Sequence, residues 1–172
     1  MKLLKNGTAL ALSLLICQQA AAIDNLKFSG TLIIPPPCTV GSDSKGSLID
    51  VVFPGRMPVD KIDGNNFMLP VAYKINCDGA GTPGLDLKLS IIGMDAKFAG
   101  SEGVLQAKGQ TDLGVQILYG DNTTKKGFKL NEPMGIFYSA PPTLWAVPVK
   151  RPGGTLKDGS FEATATLKAE YQ

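Results

Sequence analysis

Between residues 26 and 34 the apolar side chains Leu26, Phe28, Leu32 and Ile34 fall on one parity with Gly30 among them, while Lys27, Ser29 and Thr31 take the other. Successive side chains of a strand point to opposite faces, so this period of two predicts a strand that is apolar on one side only. Pro35, Pro36 and Pro37 end it, because three residues without a backbone N–H cannot continue a ladder. The same period returns further on. Leu48 to Phe53 predicts a short strand closed by Pro54 and Gly55, and Phe67, Leu69, Val71, Tyr73, Ile75 and Cys77 share a face, with Pro70 opposite them marking an edge or an irregular start. Leu85, Leu87, Leu89 and Ile91 alternate with Asp86, Lys88 and Ser90; Val104 and Leu105 form a short strand; Leu113, Val115, Ile117 and Tyr119 form a longer one. Thr143 to Val149 is a strand interrupted by Pro148, and Phe161, Ala163, Ala165, Leu167, Ala169 and Tyr171 alternate with polar residues in the last strand, just before Gln172. Gly41 to Ser47, Asp78 to Gly84, Gly120 to Asn122 and Pro152 to Gly159 read as turns, and Asn131 to Pro142 as irregular chain with Ile136 and Phe137 in the core. Short strands with glycine and proline punctuation and no sustained helical period predict an all-β sandwich. An immunoglobulin-like sandwich closes with about seven strands, and here the strands run out at Tyr171.

Lys2 and Lys5, the apolar run from Ala9 to Ile16, and Ala20 and Ala22 in small-x-small spacing are the three parts of a secretory signal peptide, with cleavage expected after Ala22. The apolar run is shorter than the roughly 20 residues a membrane span needs, and nothing later approaches that length, so no span is expected. Cys17 follows Ile16 rather than a small residue, which argues against lipid attachment. Its loss with the signal leaves Cys38 and Cys77, an even count in an oxidising compartment, and predicts a disulfide worth about 3 to 4 kcal/mol on the chain-entropy account. Structural zinc needs four ligands of the cysteine and histidine type, and this chain has no histidine. The remaining 150 residues carry 15 basic and 15 acidic side chains, so charge points to neither nucleic acid nor an anionic membrane. They suffice for one domain and are too few for two ordinary ones.

Catalytic chemistry has little to build on. Gly79, Gly81 and Gly84 satisfy G-x-G-x-x-G, but Pro83 and a strand follow where a nucleotide site requires a helix. Ser42 and Lys45 fit S-x-x-K without the companion motifs of the penicillin-binding enzymes. No histidine is available to activate a serine or a cysteine, and Asp112 and Asp121 read as solvated turn carboxylates. Trp145 could stack on a sugar, but between Leu144 and Val147 it reads as a core residue. Asn122-Thr123-Thr124 fits the glycosylation acceptor, which by itself proves nothing. No cofactor, metal or catalytic residue is assigned.

DNLKFSGTLIIPPPCTV, residues 24 to 40, resembles the leader of P-pilus tip-fibrillum subunits: a strand with a glycine, here Gly30, on its apolar parity, then proline, then a cysteine. The other end is similar too, with Gly159 fourteenth from the terminus, alternating apolar residues and the penultimate Tyr171. The chain is thus identified as resembling the pilins of the chaperone-usher pathway, over its whole length after the signal. The three prolines depart from the pattern. The resemblance implies an incomplete immunoglobulin-like β-sandwich lacking its last strand: a signal peptide at 1–22, an N-terminal donor-strand extension at 23–36 and a pilin domain at 37–172. It implies donor residues Leu26, Phe28, Gly30, Leu32 and Ile34, and a groove edge used by chaperone and acceptor made of Gly159, Phe161, Ala163, Ala165, Leu167, Ala169, Tyr171 and Gln172. Its expected partners are a periplasmic chaperone, an outer-membrane usher and neighbouring pilins, on a pilus at the cell surface. A tip-fibrillum role is favoured over a single-copy adaptor, a terminator or a carbohydrate-binding fimbrial protein.

Overall fold

The computed structural model describes residues 26–78 and 86–171. The signal peptide, Cys17, the three glycines of the nucleotide-like motif and Gln172 lie outside the described residues. The chain divides into two units, Met1–Ile33 and Ile34–Gln172. In the first, residues 26–33 form no ladder, and Leu26, Phe28 and Leu32 are 70%, 85% and 100% exposed. A strand exists only as part of a ladder, so the one-sided period of this segment is present in the sequence without its partner.

The described residues of the second unit form ten strands: β1 (Cys38–Gly41), β2 (Leu69–Val71), β3 (Lys74–Cys77), β4 (Leu87–Gly93), β5 (Val104–Gln106), β6 (Leu113–Gly120), β7 (Lys125–Gly127), β8 (Met134–Ile136), β9 (Leu144–Lys150) and β10 (Ala165–Tyr171). One sheet has the order β10-β4-β8 and the other β2-β9-β6-β5, with β7 paired to β6; β1 and β3 form a separate ribbon. Every pairing is antiparallel. Leu87, Leu89 and Ile91 of β4 pack in one core with Val115 and Ile117 of β6 and Leu144 and Ala146 of β9, the alternate inward positions of facing sheets. A smaller cluster of Phe98, Val104 and Val149 covers the outer face of the larger sheet.

Cys38 and Cys77 are directly opposite in the β1–β3 register and are joined by a disulfide across 39 residues. Pro148 is buried in β9 opposite Val115. The pairing of β9 with β2 stops at Ala146, so Pro148 stands where β9 has one neighbour, and its missing N–H breaks no ladder on the other side.

Several elements differ from expectation. The run from Phe67 to Cys77 is divided between two sheets, because β2 pairs with β9 and β3 with β1, and Phe67 sits at φ 64°. Leu48 to Phe53 pairs with no strand among the described residues, although Val51 and Phe53 still reach the core. The segment expected to be irregular contains β8, which pairs with β4, and Phe137 is 78% exposed where a core position was expected. Its parity explains this, since Met134 and Ile136 already take the inward positions. Strand β7 closes a hairpin after the Gly120–Asn122 turn. The last ladder opens at Ala165 rather than Phe161, with a lone bridge between Glu162 and Lys108 ahead of it.

Candidate functional site, an open groove beside the last strand

β10 pairs with β4 along its whole length, from Ala165 opposite Gly93 to Tyr171 opposite Leu87, and its other flank has no strand partner among the described residues. That flank borders a groove of about 1290 Å³. One wall is formed by residues 156–163 and 165–167, including the expected Gly159, Phe161, Ala163, Ala165 and Leu167. The opposite wall is the unpaired chain from Gly46 to Val59. The floor reaches the core itself, through Ile91, Val115, Ile117, Leu144 and Ala146. An apolar trough beside a row of unsatisfied strand N–H and C=O groups is a template for one more strand.

Each wall has a local cause. Phe161, Ala163, Ala165 and Leu167 share a parity, and the small alanines between two larger side chains leave space along the strand. Gly159 has φ 142°, a backbone region open to glycine and closed to most other residues. Across the groove, the Phe53 and Phe161 rings lie 6.0 Å apart at the end where the chain bends into the strand. Val51 and Phe53 turn inward while Leu48 and Val52 are 84% and 74% exposed, so this wall keeps the period of a strand without a ladder. At the Gly46 end the loop is set by Asp43, whose Oδ2 accepts from the Ser47 hydroxyl at 2.7 Å and whose Oδ1 accepts from the N–H groups of Ser47 and Lys45. Those bonds, the Ser47 hydroxyl first, hold the Asp43 carboxyl below its usual range.

The structure brings together the whole expected edge except its last members. Ala169 and Tyr171 are buried in the core at the far end of β10, and the Tyr171 hydroxyl has no hydrogen-bond partner among the described residues. The expected donor side chains Leu26, Phe28, Leu32 and Ile34 are exposed, and nothing lies within 4 Å of the Cβ position of Gly30. The 46–59 wall was not anticipated as part of the site, although the alternation of Val51 and Phe53 was its visible signal.

The residues weighed for other chemistry are structural. Trp145 is half-buried on the outer face of β9 rather than in the core, with the Lys125 ammonium 4.8 Å from its ring centre. Asp112 is more than a solvated carboxylate: its Oδ2 accepts from the Thr155 N–H at 3.0 Å and its Oδ1 lies 3.4 Å from Arg151 Nε. Asp121 caps its own turn, accepting from the Thr123 hydroxyl and the Thr123 and Thr124 N–H groups. Ser42 and Lys45 lie in the Asp43 loop. Among the described residues no cluster of potential ligands could hold a metal ion, and no helix is long and apolar enough to cross a membrane.

The family model described as fimbrial protein matches residues 26–172. The chain belongs to the fimbrial protein family. This fimbrial protein is 33% identical over 159 residues to the uncharacterized fimbrial-like protein YfcQ of Escherichia coli strain K12, covering 88% of this chain and 90% of the relative. It is 31% identical over 138 residues to the uncharacterized fimbrial-like protein YfcR of the same strain, covering 80% and 75%. Two solved structures share the fold at 20% identity: the P pilus adaptor subunit PapF, with TM-score 0.53 over 81% of this chain and 98% of that one, and the P pilus rod subunit PapA, with TM-score 0.56 over 86% and 99%. The fimbrial protein thus has the incomplete immunoglobulin-like sandwich of pilins, and family and fold together make it a structural protein of the pilus.

Proposed function

We propose that this chain is a structural subunit of an adhesive pilus that polymerises by exchanging strands between subunits. In this reading residues 23–36 enter the groove of the next subunit, and the groove beside β10 receives the corresponding segment of another. A periplasmic chaperone lends a strand to the groove first and delivers the subunit to an outer-membrane usher, and the place in the pilus is the tip fibrillum. The observation that carries the reading is the pairing of opposites in one chain: a groove with an unpaired strand edge and an apolar floor, and an exposed segment with a one-sided apolar face. Each of Phe28, Leu32 and Ile34 would contribute about 1.5 to 3 kcal/mol on full burial, and each new main-chain hydrogen bond roughly 0.5 to 1.5. Such contacts between unlike surfaces extend into an open chain rather than a closed ring.

The test is to purify the exported chain with the chaperone and mix it with acceptor and donor subunits. A variant lacking residues 23–36 is expected to bind the chaperone and accept a strand while donating none, so that it caps the polymer. Gly30→Leu is expected to slow donation and leave the chaperone complex intact. A deleted chain that cannot be recovered with the chaperone would show that residues 23–36 belong to its own sandwich, and the reading would fall.

A further inference from the structure

Ahead of the β10 ladder, the chain from Arg151 to Glu162 is tied down by one short segment. The Lys108 N–H donates to the Glu162 carbonyl at 2.7 Å, and the Arg151 N–H to the Asp112 carbonyl at 2.8 Å. The Thr155 N–H donates to Asp112 Oδ2 at 3.0 Å. Gln110 then grips a single backbone position from both sides: its Nε2 donates to the Lys157 carbonyl at 2.9 Å, and its Oε1 accepts from the Lys157 N–H at 3.3 Å. All of these ties end on residues 108–112, the turn joining β5 to β6. Gln110, Leu156, Lys157, Gly159 and Phe161 line the groove at this end, so the clasp and the wall it holds are one construction.

We propose that Gln110 and Asp112 are positioning residues that hold the 155–161 wall of the groove open, and so set how fast an incoming strand is captured. The proposal rests on the reading that the groove takes a strand. The wall carries Leu156 and Phe161, both packed against the buried cluster of Ile62, Ala107 and Leu113, and Phe161 already faces Phe53 across the gap. With the polar ties cut, apolar side chains beside an empty apolar trough have reason to fold into it. A wall left loose instead must be ordered at the moment of binding, and that cost is charged against capture. Both outcomes slow the same step. The work falls to hydrogen bonds because no ladder reaches this stretch apart from the Glu162 bridge.

The experiment measures release of the chaperone from the purified complex of the mature chain. The displacing probes are a synthetic peptide of residues 24–36 and, separately, the N-terminal peptide of a neighbouring subunit of the same pilus. Gln110→Ala is expected to lower the capture rate about tenfold, the scale of two lost hydrogen bonds. Asp112→Ala should act likewise, and Asp112→Asn, which keeps the acceptor for Thr155, should recover most of the wild-type rate. Asp121→Ala is the control: its carboxylate makes three hydrogen bonds to Thr123 and Thr124 in the turn between β6 and β7, and none of these residues lines the groove. It should loosen that hairpin and leave capture unchanged. Capture by Gln110→Ala at the wild-type rate, or equal slowing by Asp121→Ala, would overturn the inference. A wild-type chain that takes up neither peptide would overturn the proposed function itself, and that failure shows in the wild type rather than in the ratio.

Discussion

A buried tyrosine hydroxyl is costly unless it finds a partner, and two tyrosines here differ in that respect. Tyr73 donates to the Pro142 carbonyl at 2.6 Å, and burial pushes its pKa up to about 12. Tyr73→Phe should therefore destabilise the fold by about 1 to 2 kcal/mol in urea denaturation, since the Pro142 carbonyl loses its donor. Between pH 10 and 12 the unfolded chain releases this proton while the folded one keeps it, so the contribution is present below pH 10 and is lost as the pH rises to 12. Tyr73→Phe should remove that part of the alkaline loss. Tyr171 is the converse case, with a buried hydroxyl and no partner among the described residues. Tyr171→Phe should leave the stability of the empty subunit unchanged or raise it by about 1 kcal/mol. A substantial destabilisation in the same denaturation assay would reveal a partner for this hydroxyl. At acid pH the sign reverses: Asp121 is held below 3.8 by the Thr123 hydroxyl and the Thr124 and Thr123 N–H groups, so its turn is secured above that pH and released as the pH falls through the lowered value. An NMR titration of the Thr123 and Thr124 amides should show the midpoint below 3.8.

At the scale of elements, period-two alternation carried much of the fold, and its failures are physical. Leu87 to Ile91 and Leu113 to Tyr119 were legible because each strand buries one face against a full sheet. Strands β7 and β8 are three residues each, too short to display a period, and exist through pairing with β6 and β4. Phe67 to Cys77 keeps one parity while its two halves join different sheets, a change that alternation alone cannot register. Leu48 to Phe53 has the sequence of a strand because a groove wall must also turn alternate residues inward; what differs is the missing neighbour. Half of the groove was therefore readable, in the parity of Phe161 to Leu167. The clasp was not, since Gln110 is one polar residue in a turn until Lys157 is brought opposite it. Gly159→Ala tests the wall directly: at φ 142° the substitution should cost about 1 to 3 kcal/mol in thermal or urea unfolding.

For the whole molecule, the groove's apolar floor is a liability until it is filled. The chain freed of any bound strand should aggregate at micromolar concentration, and a peptide of residues 24–36 should suppress this and raise the melting temperature, as light scattering and calorimetry can show. The disulfide adds a consequence of another kind. A pilus under flow is pulled lengthwise, and a pull applied through the segment preceding Cys38 meets the sandwich at that residue. The Cys38–Cys77 bond passes the load straight across the β1–β3 ribbon, so the intervening chain, the 46–59 groove wall among it, sits outside the line of tension. Single-molecule stretching should therefore yield about 130 Å less contour from the oxidised subunit than from the reduced one, the extended reach of its 39-residue loop. If the groove takes a neighbour's strand as proposed, one covalent bond lets that seat keep its shape while the fibre bears weight.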